Sequence, residues 1–267
     1  MLSTLELSIA IICRNNEGTI GRTLESVAGL AAEIVAVDSG STDGTIGLLE
    51  RHAARVIRSE WKGHIATKQM ALEACSREWI LCLDSDESPR PELLRSIQDA
   101  LQRPRPDPGL AGWWVNRKVW YRDRPLNFAW QPEWRLRLVR RGRARWTGLD
   151  PHDRLEVEPG ATTARLAGDL RHDSISTFPD FLAKQAAHSR TMAQSMRREG
   201  HRGSYLSLVT SPPGAFFKQL VLKQAWRDGW PGWLAAGSTA AATLMKHIAL
   251  IEQHRGEHTG TGEASGG

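Results

Sequence analysis

The sequence predicts an α/β fold built on a mostly parallel central sheet, and three observations carry that prediction. Apolar runs rich in β-branched residues recur at Leu7 to Cys13, Ile34 to Val37 and Trp79 to Leu83, as expected of strands buried on both faces. Between them, apolar residues fall at helical spacing, so strand and helix alternate at the pitch of βαβ units. Polar clusters at Arg14 to Glu17, Asp38 to Asp43 and Asp84 to Glu87 all lie at the predicted carboxyl ends of strands, the edge where such sheets bind ligands.

The elements follow in order. Ile20, Leu24 and Val27 mark the first helix. Asp43 stands where it would cap a helix running to about His52, Arg55 to Ile57 is a short strand, and Ile65 to Cys75 reads as a helix. Ser88, Pro89 and Pro91 open a further helix ending near Leu101. A proline-rich stretch, Pro104 to Pro108, then separates two halves. Trp113 to Tyr121 and Arg135 to Val139 follow as strands. In the second, alternation places Arg135 and Arg137 on one face and Leu136 and Leu138 on the other. Thr177 and Asp180 form a capping-box-like start to a helix that ends near Glu199. From Tyr205 to Leu250 the chain is apolar, bears tryptophans, and is expected to break at Pro212-Pro213 and at Pro231. The expected organisation is therefore an α/β domain over about 1–175, with halves at about 1–103 and 109–175. A helical extension over 176–255 and a disordered Gly/Ser/Thr-rich tail over 256–267 complete it.

The chain has 267 residues and a net charge of +5, which suits anionic partners. No nucleic-acid motif accompanies the charge, so nucleic acid is not an expected partner. The three cysteines match no zinc or redox spacing and fit a reducing cytoplasm. No basic n-region precedes the first apolar run, and no stretch approaches about 20 apolar residues, so neither signal peptide nor membrane span is expected. Eleven tryptophans against two tyrosines is unusual. Tryptophan stacks on sugar rings and also sits at membrane interfaces. Trp226, Trp230 and Trp233, with Lys218, Lys223 and Arg227 nearby, read either as an anchor on an anionic inner leaflet or as a helical lid on the core.

Asp84-Ser85-Asp86 is the sharpest chemical feature. Two carboxylates past the end of an apolar strand can approach one hard divalent cation, which would bridge diphosphate oxygens and neutralise charge as the diphosphate leaves. The alternative is a solvated turn. Asp38 could accept hydrogen bonds from a base or ribose, with Gly40 allowing close backbone approach, or could cap its own turn. Lys68 could reach a phosphate or face solvent. Arg135 and Arg137 could hold a diphosphate or a phosphorylated acceptor, whereas Arg140, Arg141, Arg143 and Arg145 read as a solvated face.

Taken as an ordered series, Ile11 to Glu17, Val37 to Thr45, Trp61-Lys-Gly63 with Lys68 and Ala71, and Leu81 to Glu87 resemble glycosyltransferase family 2. Pro132 to Val139, Gly148 to Asp153, Leu170-Arg-His172, Phe216-Phe-Lys218 and Asp228-Gly229 are similar to its lipopolysaccharide core, β-1,4-glucosyltransferase-like branch. The resemblance implies a GT-A fold, a Rossmann-like nucleotide-sugar-binding domain with a helical extension. It implies inverting, Mn2+- or Mg2+-dependent transfer of a hexose from a nucleotide-diphosphate sugar, UDP-linked, to a saccharide or lipid-linked saccharide acceptor of the lipopolysaccharide core or a related glycan. It also implies roles. The backbone at Ile12 and Arg14, with Glu17, would line the base pocket. Asp38 would contact the nucleotide, Lys68 the uracil or phosphates, and Asp84 with Ser85 the ribose or diphosphate. Asp86 would hold the metal, with His172 completing its shell. Asp153 stands where the branch carries a glutamate after a histidine, and would be the base, with Asp150 in reserve. Two other functions stay open: glycosyl transfer to polyprenyl phosphate, and non-catalytic binding of a sugar nucleotide.

Overall fold

A computed structural model describes residues 5–102, 107–149 and 152–259. Asp150 and the tail beyond Thr259 lie outside the described residues. In chain order the first elements are β1 (Leu5–Cys13), α1 (Glu17–Val27), β2 (Ala31–Asp38), α2 (Thr45–Arg51), β3 (Arg55–Arg58), α3 (His64–Ala74), β4 (Trp79–Asp84), β5 (Glu87–Pro89) and α4 (Pro91–Gln102). There follow β6 (Leu110–Tyr121), β7 (Arg124–Pro125), β8 (Trp134–Arg140), β9 (Ala144–Leu149), β10 (His152–Val157) and β11 (Thr162–Ile175). The helices α5 (Phe178–Arg198), α6 (Tyr205–Phe217) and α7 (Trp230–Thr259) end the chain. They group into two compact units, residues 1–119 with 132–173, and residues 120–131 with 174–267.

In the first unit the sheet runs β3-β2-β1-β4-β8-β6-β11-β5. The block β3-β2-β1-β4 is parallel, and β4–β8 and β8–β6 are antiparallel. Side chains of a strand alternate between faces, and β1 shows what this does. Leu7, Ile9 and Ile11 enter a core cluster with Ile20, Leu24 and Val27 of α1, Leu49 of α2, and Leu93 and Ile97 of α4. Ala10 enters another cluster with Val35, Val37, Ile80, Cys82 and Ala71 and Leu72 of α3. The parallel strands are thus covered on both faces, which is why they read as continuous apolar runs.

Three local expectations are corrected. The alternation in β8 fails, since Leu138 joins the first cluster and Leu136 the second. Trp113 pairs with Leu138 and Trp114 with Leu136, so Arg137 is the extra residue of a β-bulge, and a bulge re-aims the side chain it carries. The expected break at Pro212-Pro213 is absent, because α6 carries both prolines in its interior. The expectation of no membrane span also needs amending. Trp230–Gln253 of α7 is long and apolar enough to cross a membrane, with a mean hydropathy of 1.3, though 28% of it is buried within the protein. Gly237, Ser238, Thr239 and Thr243 interrupt its apolar run in the sequence while adding no charge.

Candidate active site

The loops after β1 and β2 are stitched together by side-chain oxygens that accept from backbone N–H groups. Thr42 N donates to Asn15 Oδ1 (2.8 Å), Gly44 N to Glu17 Oε2 (2.7 Å), and Glu17 N to Asp43 Oδ2 (3.1 Å). Asp43 also accepts from Thr45 N at 3.0 Å, one residue ahead of the N-cap position that Gly44 occupies. Asp38 is buried, and its carboxylate turns back onto its own loop, accepting from Gly40 N (3.0 Å), Ser41 N (3.1 Å) and the Ser41 hydroxyl. Gly40 holds a φ of 88°, a conformation that glycine adopts without strain. Burial, with Asp38 alongside, pushes the Cys13 thiol up to about 12. Arg14 and Glu17 are exposed, and Ile12 pairs in register with Val37 and Asp84.

The end of β4 is built differently, from distant side chains. Asp84 Oδ1 meets Lys68 Nζ at 2.7 Å and Oδ2 meets Arg137 Nη2 at 2.9 Å. Lys68 Nζ also donates to Asp153 Oδ2 at 2.8 Å. Burial would raise the Asp84 carboxyl, but Lys68 and Arg137 outweigh it and hold Asp84 well below the usual carboxylate range. Burial would lower the Lys68 ammonium, and Asp84 and Asp153 reverse that and raise it. Glu87, fully buried, accepts from Asp84 N (3.1 Å), Arg137 (2.7 Å) and Arg117 (3.3 Å). Arg117 in turn reaches Glu133 at 2.6 Å, and Arg135 reaches the same oxygen at 2.7 Å. Despite burial, these two arginines hold the Glu133 carboxyl down at about 2.

This cluster walls a cavity of about 580 Å³. Of the residues designated from sequence, Lys68, Asp84, Arg135 and Asp153 line it, and Ile12, Arg14, Glu17, Asp38, Gly40, Ser85, Asp86 and His172 do not. Trp146 lies in the wall with Lys68 Nζ 4.7 Å from its ring centroid and the Arg137 guanidinium 5.6 Å away. Its indole Nε1 and the Nε of Arg137 are buried donors without partners among the described residues.

Asp86 and His172 form a separate pair, with Oδ2 3.5 Å from Nε2. Burial would raise Asp86, and His172 beside it brings the carboxyl below its ordinary value. The Asp86 carbonyl accepts from Asp173 N at 2.9 Å, which ties the loop after β4 to β11. Nδ1 of His172 is buried and has no partner among the described residues. Among the described residues no group of three or more His, Cys, Asp or Glu gathers around a common point. Ser85 is buried, and its carbonyl accepts from the Thr23 hydroxyl.

Residues 8–155, more than half of the chain, match Glycosyl transferase family 2. The chain belongs to that family. It is a glycosyltransferase of GT-A fold. It is 29% identical over 265 residues to the lipopolysaccharide core biosynthesis glycosyltransferase LpsC of Rhizobium meliloti, covering 95% of both chains. It is 26% identical to an uncharacterized glycosyltransferase of Rickettsia bellii, over 94% of this chain and 88% of the other. Among solved structures it is similar to glucosyl-3-phosphoglycerate synthase from Mycobacterium tuberculosis, at 26% identity over 45% of each chain and a TM-score of 0.34.

The links among these side chains escape a reading of the sequence. Glu87 ends a strand-end cluster visible in the sequence, whereas Arg117 and Glu133 look like scattered charges, and only the fold brings the three to one point. Trp146 is one of eleven tryptophans, and only the fold singles it out for the cavity wall. Arg137 is visible as a candidate, but its placement depends on the bulge in β8.

Proposed function

We propose that this family 2 enzyme transfers a hexose, with inversion, from a nucleotide-diphosphate sugar, UDP-linked, to a saccharide acceptor of the lipopolysaccharide core or a related cell-envelope glycan. The identity to LpsC along nearly the whole chain supports the acceptor class. The observation that carries the chemistry is Lys68, whose ammonium joins Asp84 at 2.7 Å and Asp153 at 2.8 Å in the wall of one cavity. One contact lies at a strand end, where nucleotides bind in such sheets. The other is a carboxylate facing the same space.

Inversion requires a single base opposite the leaving group. Asp153 engages Lys68 through Oδ2 and lines the cavity, so it can take the proton of an acceptor hydroxyl while Lys68 fixes its orientation. Asp84, held anionic by Lys68 and Arg137, accepts from ribose hydroxyls. The Arg137 guanidinium lines the cavity and supplies positive charge for a diphosphate oxygen. Trp114 and Trp134 offer faces for sugar stacking. The loop at Asp38 and Gly40 shapes the nucleotide end through its backbone, with Ile12, Arg14, Glu17 and Ser85 around it.

Asp86 and His172 fit a divalent cation. They place a carboxylate oxygen and the imidazole Nε2 3.5 Å apart, just past the end of β4. Magnesium and manganese sites of this kind take one or two protein ligands and complete the shell with substrate phosphates and water. When bound, Mn2+ or Mg2+ neutralises charge on the leaving diphosphate. Three buried free thiols and a nucleotide-sugar donor support a reaction on the cytoplasmic side.

A thermal-shift screen of nucleotide sugars with and without Mn2+ or Mg2+ tests donor and metal together, because a ligand of the folded state raises the melting midpoint. Stabilisation by one sugar nucleotide that depends on the cation, and transfer abolished by chelator or by Asp86→Ala, is the expected result. Full transfer in chelator would sink the metal-dependent reaction.

A further inference from the structure

The second unit exposes an apolar stripe. The helix α6 continues directly into a π-helical turn, Lys218–Leu222, so residues 205–222 form one helical run. Its exposed positions are 205, 206, 209, 210, 213, 214, 217, 218, 221 and 222, the pairwise spacing of one helix face. That face carries Tyr205, Leu206, Val209, Pro213, Phe217, Val221 and Leu222, with Leu206 at 73%, Val209 at 70% and Leu222 at 67% exposure. No residue of α6 is buried. A water-soluble helix has its apolar stripe inward, and here the outward face is largely apolar as well. Trp226, Trp230 and Trp233, in the turn and helix that follow, are each more than half exposed. A surface of this kind marks an interaction site.

Charge selects the partner. Between Gly200 and Ile251 the sequence has a single carboxylate, Asp228. It is occupied, accepting from the backbone N–H groups of Asn127, Phe128 and Ala129 at 2.8–2.9 Å. The same span carries Arg202, Lys218, Lys223, Arg227 and Lys246. Lys218 sits within the stripe, and Arg202 and Arg227 are exposed. Protein interfaces exclude charge from their centres, whereas cations among tryptophans and aliphatic side chains suit a bilayer surface with anionic headgroups. Two interior prolines leave α6 without two backbone N–H donors, a defect tolerated at the hydrated interface and costly in the hydrocarbon interior. The helix α7 is also committed elsewhere. It buries Ala235, Ala236, Ala249 and Leu250, and its Ala242 carbonyl accepts from Ser189 of α5.

We infer that residues 205–222, with Trp226, Trp230 and Trp233, dock in the plane of an anionic lipid surface without spanning it. Vesicle binding needs neither sugar donor nor acceptor, so this inference stands or fails independently of the proposed reaction. The full chain should co-sediment with phosphatidylcholine vesicles containing phosphatidylglycerol, at least about tenfold more tightly than with phosphatidylcholine alone, since each basic residue near the surface contributes about fivefold. Salt should release it, and brominated lipid should quench its tryptophan fluorescence. The double substitution Leu206→Asp with Val209→Asp should weaken binding by about tenfold or more with unchanged circular dichroism, because both side chains are exposed. Lys218→Ala with Arg227→Ala should remove most of the preference for phosphatidylglycerol and leave weak binding to neutral vesicles. Failure to co-sediment overturns the inference. So does retention in the membrane after alkaline carbonate, which would make α7 a span. A dimer in light scattering that the Leu206/Val209 variant splits, with no vesicle binding, would assign the stripe to a second copy of the chain.

Discussion

Asp38 and Asp84 both end parallel strands of one sheet, and they are held in opposite ways. Asp38 accepts its hydrogen bonds from Cys13 and from residues two and three positions on in its own loop. Asp84 is held by Lys68, from α3, and by Arg137, from a bulge in β8. The first carboxylate shapes a turn. The second is one corner of an ion cluster that reaches Glu87, Arg117 and Glu133 and, through Lys68, Asp153. Similar sequence positions thus carry different chemistry, and the difference lies in whether charged partners reach in from distant elements.

The largest expected effect tests the distant cluster. General-base catalysis contributes about 10²–10⁴-fold, so Asp153→Asn should lower kcat by that factor while stabilisation by the donor persists. A loss below about tenfold would place the base elsewhere. Next in size is Arg137→Met. Removing one partner of a buried ion pair costs about 3–5 kcal/mol. Glu87 would be left fully buried, with the longer Arg117 contact at 3.3 Å and the Asp84 N–H at 3.1 Å in place of its closest cation. The urea midpoint should fall accordingly, and a loss under 1 kcal/mol would show that the cluster does not hold the sheet together.

The same cluster sets an acid limit. Glu133 titrates near 2 in the folded chain against 4.5 ordinarily. A carboxyl depressed on folding contributes stability that is complete above its unfolded pKa and lost as pH falls through its folded pKa. That contribution should fade between about pH 4.5 and 2, and Glu133→Gln should flatten this limb of the stability curve. An unchanged slope in the variant would remove Glu133 from the account.

The contrast also explains what was legible beforehand. The parallel block and its helices could be read from Leu7 to Leu101, because periodicity and strand-end polarity are local properties. Asp84, Asp86, Lys68 and Asp153 were legible as candidates through an ordered series of short motifs. Their partners were not, since Arg117, Glu133 and Trp146 acquire meaning only when strands distant in sequence are laid side by side. Arg137 shows the limit most clearly. Strict alternation gave it the wrong pair of neighbours, because one inserted residue in β8 moves Leu136 and Leu138 to opposite faces. In the second unit the outward stripe of α6 was hidden by Pro212-Pro213, which read as a break in the helix.

The smallest effect belongs to Asp38 and decides whether the comparison holds. Asp38→Ala removes the acceptor for Gly40 N, Ser41 N and the Ser41 hydroxyl. A lost side-chain acceptor in a turn or cap costs about 0.5–2 kcal/mol, and part of this site is exposed, so the loss should lie in that range. Asp38→Asn retains one amide oxygen as an acceptor and should recover most of the stability. If the carboxylate acts only through its loop, donor binding follows stability: weakened a few-fold in the alanine variant and nearly unchanged in the asparagine variant. Isothermal titration with the sugar nucleotide separates the two cases. An asparagine variant that folds normally yet binds donor more than tenfold weaker would show that the charge of Asp38 touches the nucleotide directly. Asp38 and Asp84 would then share one task despite their different supports.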